Sequence, residues 1–361
     1  MNGPKRGNTN KKIPGKEFLM KIKAVKNKKN GMICIVLAAA FLLCGCRAQY
    51  AEYQMSELAM GTLITGTIYA PNDGSAENVV SELSDAVEQL EKRKLSWKED
   101  SSETARINKE GSGEISEELK GYLEQIMQLC EDSDGAVDPT MGKVIDLWNF
   151  DEGAGQIPDA STLAKALEHV DYRNIIMEGN NITIPDHTAL NLGAFGKGIG
   201  SDVMGRLLEN NKQVGGAILS LGNSSIMTYG SKPDGKSWKV AVNDPFGKTG
   251  SYLGVLSLTG THFVSTSGDY EKYFEKDGIR YHHILDPQTG YPARSGLVSV
   301  TVIGDNGLLC DGLSTACFIL GIEKGKELLK EYGAEGIFVK EGGEIVFTEQ
   351  AEGWFTRNSS A

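Results

Sequence analysis

Helical and strand periodicities alternate along the chain from Met60 to Phe347, with no internal repeat and no low-complexity linker to separate them. Apolar residues keep helical spacing at Val79, Val80, Leu83, Val87 and Leu90, at Leu119, Leu123, Ile126 and Leu129, and at Leu163, Leu167 and Val170. Further helices are expected over 198–210 and 312–332. Alternating or β-branched stretches bounded by Gly, Asn, Asp and Pro predict strands over 60–70, 217–221, 238–242, 253–258, 297–302 and 336–347. Segments so intermixed predict one α+β unit over 56–361, although 361 residues would also allow two domains.

The head of the chain is different in kind. Residues 1–45 carry ten Lys or Arg and one acid, Glu17, and end in the apolar run Met32 to Leu43 before Cys44-Gly45-Cys46. Twelve apolar residues are too few to span a hydrocarbon core of about 30 Å, which takes roughly 20. Behind a basic stretch they fit the apolar region of an export signal. Small residues ahead of a cysteine resemble a lipoprotein cleavage site, so 1–45 is expected to be removed. Cys46 then becomes the lipidated N-terminus, and 46–55 a tether to the outer face of a membrane. An ordinary signal peptide with a coincidental cysteine, or an uncleaved anchor, is the alternative.

Removing the head leaves 27 basic against 47 acidic residues. A body of net charge −20 repels phosphate backbones, and no basic patch offsets it, so nucleic acid is not an expected partner. Cys130, Cys310 and Cys317 are an odd number with no metal-type spacing, which argues against a disulfide framework and for small buried apolar residues.

Four clusters carry possible chemistry. Gly135-Ala136-Val137-Asp138-Pro139-Thr140 is a turn-forming loop or a ligand loop. Asn191-Leu192-Gly193-Ala194-Phe195-Gly196-Lys197-Gly198-Ile199-Gly200 runs toward a helix beginning near Ser201. Its glycines, its lysine and the helix N-terminus suit a pyrophosphate, although Gly198 breaks the P-loop spacing and a plain turn fits as well. Ser265-Thr266-Ser267-Gly268-Asp269-Tyr270 precedes His282-His283-Ile284-Leu285-Asp286-Pro287-Gln288-Thr289-Gly290. Adjacent strand residues face opposite ways, so one histidine at most serves a given site, and His282 is the expected bystander. In Asp311-Gly312-Leu313-Ser314-Thr315, Asp and Thr share one helical face. An oxygen-only pair suits Mg²⁺, whereas an N-cap aspartate is the structural alternative.

In order, these segments resemble the FAD:protein FMN transferase family, the ApbE-type flavin transferases, over about residues 60–347. The resemblance rests on Met60-Gly61-Thr62, on Ser102-Glu103 with Arg106 and Asn108, on Gly135 to Thr140 followed by Leu147-Trp148-Asn149-Phe150, and on the three later clusters. It implies a single domain of mixed helices and largely antiparallel strands. It also implies Mg²⁺-dependent cleavage of FAD, with FMN passing through a phosphoester bond to a Thr or Ser of a target protein and AMP released. By motif position, flavin and adenylate contacts fall on Met60, Trp97, Ala136, Val137, Asp138, Asn191, Lys197 and Leu285. The metal falls to Asp311, Thr315 and the Ala194 carbonyl. His283, with Asp286 beside it, stands nearest the chemistry as the expected general base, its basicity raised by a neighbouring carboxylate. The family usually has Asp where this chain has Asn191. The implied partner is an acceptor flavoprotein subunit, from a membrane redox complex or an extracytoplasmic FMN-binding protein. FAD pyrophosphatase activity, or a lipid-anchored flavin-binding lipoprotein without catalysis, are the alternative readings.

Overall fold

Met60 and Gly61, expected to open a strand, both have positive φ, 54° and 63°. That is the backbone of a two-residue hairpin turn, and it joins strands Ala51–Ala59 and Thr62–Ala70, paired antiparallel from Ala59 and Thr62 outward. The expected tether is therefore strand from Ala51 onward, with Met55 buried. This computed structural model describes residues 50–150 and 155–359, so the expected signal segment and Cys46 lie outside the described residues.

Strand Ala51–Ala59 is the edge of an eight-stranded sheet. Its strands cross it in chain order: after the first hairpin come Gly216–Leu221, Ser225–Gly230, His262–Gly268, Leu297–Gly304, Glu335–Lys340 and Ile345–Phe347. Every neighbouring pair is antiparallel. Helices Asp73–Leu90, Gly196–Asn210 and Gly307–Leu320 share the larger core with one face of the sheet. A three-stranded sheet of Trp238–Asn243, Tyr252–Leu258 and Phe355–Arg357 packs on the other face. The strand Leu297–Gly304 shows why: Val300 and Val302 point into the larger core and Ile303 into the second, so both faces are covered.

Three expectations change. The stretch 312–332 is two helices, Gly307–Leu320 and Ile322–Glu331, broken at Gly321, whose φ of 80° a helix cannot continue. The stretch 336–347 is a hairpin of two strands turned near Gly343, φ 81°. Strands Ser225–Gly230 and His262–Gly268 were not expected, because Ser225, Thr228 and Ser265 share their buried positions with Met227, Phe263 and Val264 and interrupt the apolar pattern. Cys130, Cys310 and Cys317 are free and buried, the last two inside helix Gly307–Leu320. A third small cluster, Met141, Val144, Trp148, Leu163 and Leu285, ties two predicted loops together, and Trp148 Nε1 donates to the Gly290 carbonyl at 2.8 Å.

Candidate active site

Helix Gly196–Asn210 starts without a cap of its own. Phe195 precedes it and offers no side-chain acceptor, so its first N–H groups need partners from elsewhere. Helix Gly307–Leu320 supplies one. Asp311 Oδ2 accepts from the Gly198 N–H at 2.9 Å, the Lys197 N–H also bonds this carboxylate, and Oδ1 accepts from Ser225 Oγ at 3.2 Å. The debt is returned by Asp202, whose Oδ1 accepts from the Gly307 N–H at 2.6 Å and Oδ2 from the Leu308 N–H at 2.8 Å. Each helix thus caps the other with a carboxylate. Where they cross, a Cβ on Gly198 or Gly307 would overlap the other residue's carbonyl, so only glycine permits the approach.

Two sequence expectations are corrected at this junction. The Gly-rich helix begins at Gly196 rather than near Ser201, which places Lys197 and Gly198 in its first turn. Asp311 does not open its own helix: Asn306 is that cap, accepting from the Leu309 N–H at 2.9 Å, and Asp311 sits one turn further on.

Around Asp311 the donors are all oxygen. Thr315 Oγ1 lies 3.4 Å from the Asp311 carbonyl and 3.1 Å from Ser267 Oγ, which is 2.8 Å from Ser314 Oγ. Ser265 Oγ donates to Ser225 Oγ at 3.2 Å. Among the described residues no three His, Cys, Asp or Glu side chains gather as a metal centre. One carboxylate with hydroxyls nevertheless fits Mg²⁺, which keeps waters and completes its shell with substrate phosphate oxygens. Ala194 occupies the tight turn just before the helix, where Phe195 N–H donates to the Leu192 carbonyl at 3.0 Å.

Lys197 governs the local field. Its Nζ bonds Ser224 Oγ. Burial pushes the Asp311 carboxyl up, and Lys197, with the helix N–H groups and Ser225, opposes the rise. Glu271 behaves alike: burial raises it, Lys197 lowers it, and Asp311 raises it again. His283 is pushed down to about 4, first by burial and then by the charges of Lys272 and Lys197. The field of one cation therefore acts on Asp311, Glu271 and His283 alike.

His283 Nδ1 faces the Lys272 carbonyl at 3.2 Å, so that nitrogen carries the proton and Nε2 keeps its lone pair. The expected carboxylate partner is not there. Asp286 instead closes its own turn, accepting from the Gln288 N–H at 2.9 Å, and its basicity-raising role is corrected to a turn-forming one. His282 is buried against Phe318, with Nε2 on the Ala293 carbonyl at 3.1 Å.

The remaining predicted residues divide by what they offer. The Met60 side chain lies against Gly196 and Gly200 of the Gly-rich helix, and its N–H donates to Glu91 Oε2 at 2.7 Å. Trp97 is half-buried after the π-helical turn Glu91–Leu95, with the Lys98 ammonium 5.7 Å from its ring. Ala136, Val137 and Leu285 turn their side chains into cores, so their backbone is what a ligand can meet. Asp138 holds its loop: Oδ1 accepts from Thr140 N–H at 2.8 Å and Oδ2 from Tyr172 N–H at 3.0 Å. Asn191 Oδ1 accepts from Gly193 N–H at 2.8 Å, and its own N–H meets the Pro139 carbonyl at 2.8 Å, joining the first two clusters. Asn does this as well as Asp would.

Sequence reasoning missed Asp202, Ser224, Ser225 and Glu271. The Gly222-Asn223 turn could have marked the loop carrying Ser224. Nothing local marks Asp202, whose partners lie about a hundred residues away.

The family model described as the ApbE family matches residues 60–339. The FAD:protein FMN transferase of Treponema pallidum is 31% identical over 326 residues, 85% of this chain and 89% of that protein. That of Escherichia coli K12 is 30% identical over 330 residues, 85% of this chain and 92% of that protein. The crystal structure of the Thermotoga maritima ApbE protein superposes with a TM-score of 0.76 at 28% identity, covering 85% of this chain and 99% of that one. The Pseudomonas stutzeri flavinyl transferase ApbE, in its apo form, gives 0.73 at 28% identity, covering 86% and 98%.

Proposed function

The chain belongs to the ApbE family, and from that premise we propose that it is an FAD:protein FMN transferase working with Mg²⁺. The observation that carries this reading is the junction of two helix starts, where Lys197, the Asp311–Thr315 face and His283 share one electrostatic neighbourhood. A pyrophosphate needs its charge neutralised before a nucleophile can approach phosphorus. The Lys197 ammonium binds and orients it there, while the helix N–H groups beside it are held by Asp311 and Asp202 and keep the two helix starts in place. Asp311 and Thr315, with the Ala194 carbonyl, would hold Mg²⁺, which when bound supplies Lewis-acid polarisation of a phosphoryl oxygen.

The acceptor hydroxyl forms the new O–P bond on the FMN side, the bridging P–O bond breaks, and AMP leaves. His283 Nε2 takes the hydroxyl proton. Met60 and Trp97 offer apolar and aromatic surface for the flavin or adenine rings.

The test is incubation of the processed protein with FAD, Mg²⁺ and a candidate acceptor, followed by flavin fluorescence on a denaturing gel. Covalent label on the acceptor is expected. AMP without label would make the protein an FAD pyrophosphatase, and no turnover a flavin binder.

His283→Asn is expected to slow labelling by about 10²–10⁴-fold, the usual scale for removing a general base. Because His283 is held down to about 4, the acid limb of kcat/KM for the wild type is expected near that pH. The limb of kcat should lie higher, since a bound diphosphate offsets the field of Lys197. A kcat/KM limb near 6.5 would contradict the half-buried, cation-flanked His283 as the base.

Lipid anchoring through Cys46 on the outer face of a bacterial membrane completes the proposal; it is supported by the basic-apolar head and the small residues before that cysteine. Cys46→Ser is expected to release the protein from the membrane fraction or leave it unprocessed. Retention of a normally processed product would count against the anchor.

A further inference from the structure

We propose that Asp202 is the positioning residue for the metal-binding carboxylate, setting where Asp311 stands by fixing one helix start against the other. The inference rests on the Mg²⁺ reading of Asp311 given above. Gly198 and Asp202 are one turn apart on helix Gly196–Asn210, and Gly307 and Asp311 are one turn apart on helix Gly307–Leu320. The two turns are fastened at both ends: Asp202 takes the Gly307 and Leu308 N–H groups, and Gly198 gives its N–H to Asp311. Between these points the glycine backbones touch. Two attachments one turn apart on rigid helices fix both sliding and rotation, so the first determines the geometry of the second. Ionised acceptors make the stronger hydrogen bonds, which favours a carboxylate in this place. Asn306 caps the same helix through the Leu309 N–H, and its amide donates to Gln125, so its side-chain hydrogen bonds hold that helix end to itself and to helix Glu117–Asp132.

The contrast between Asp202 and Asn306 supplies the test. Mn²⁺ binding to the purified protein, read from the loss of the free-ion EPR signal, is compared for wild type, Asp202→Asn, Asn306→Ala and Asp311→Ala, alongside thermal unfolding. Asp202→Asn is expected to weaken Mn²⁺ binding about 10–100-fold, the scale of removing an outer support of a metal ligand. Asn306→Ala is expected to lower the unfolding midpoint while binding Mn²⁺ as the wild type does. If Asp202→Asn does not fold, Asp202→Ser, which keeps one acceptor, carries the same expectation. Wild-type affinity in a folded Asp202 variant overturns the inference, and so does an equal loss in Asn306→Ala. Wild-type affinity in Asp311→Ala overturns the metal reading and this inference with it.

Discussion

Asp311→Ala is expected to cripple flavin transfer, with a loss of about 10²–10³-fold, while Asp311→Asn folds better and remains almost as inactive. The carboxylate has two tasks that the pair of variants separates. It is the carboxylate that sits among the Ser225 and Thr315 hydroxyls, so its removal takes away the charge that would hold a divalent cation against a pyrophosphate; losing a single fixed electrostatic stabiliser commonly costs about 10²–10³-fold. It is also the acceptor for the Gly198 N–H, at a helix start with no cap of its own. Alanine leaves that buried N–H unpaired, a cost of about 1–3 kcal/mol, whereas asparagine keeps an acceptor oxygen. Measuring transfer rate against Mg²⁺ concentration together with the unfolding midpoint checks both. Wild-type turnover of either variant at limiting Mg²⁺ would remove Asp311 from the metal site.

Gly198→Ala is expected to be the most damaging single-methyl change in the chain. The added Cβ meets the Gly307 carbonyl and the Asp311 Cβ, so the obstacle is backbone and a short stem rather than the movable end of a long side chain. Overpacking of this kind costs about 1–3 kcal/mol and occasionally more, or roughly 2–4 °C of unfolding midpoint per kcal/mol in larger domains. The helices can only part, and parting moves Asp311 away from Lys197, so activity should fall further than stability. Gly121→Ala is the matched control. That glycine lies inside helix Glu117–Asp132 with open space where a Cβ would go, and the change should stabilise by up to about 1 kcal/mol. Equal midpoints for the two variants would show that the Gly198–Gly307 contact is not the constraint described.

How much of this was legible in the sequence follows from how local each feature is. Helices Asp73–Leu90 and Glu117–Asp132 announced themselves because each buries one stripe against the core. The central strands were harder. In His262–Gly268 the buried Phe263 and Val264 are followed by Ser265, whose value lies in bonding Ser225, and through it Asp311, rather than in apolarity. Met60-Gly61 was visible as a motif but not as a turn, since a methionine at positive φ runs against its intrinsic preference and is held there by the hairpin.

The sequence by itself determined the α+β class, the presence of two glycine-flanked helices and the candidates Lys197, His283, Asp311 and Thr315, because periodicity, glycine and side-chain chemistry are properties of neighbouring residues. Only the tertiary structure decided what those residues do to one another. It made Asp311 the cap of a distant helix instead of its own, denied His283 the help of Asp286, and gave Asp202 a part in the site. Those outcomes depend on two helix starts brought together by a glycine contact across about a hundred residues of chain, and no local pattern encodes a distance of that kind.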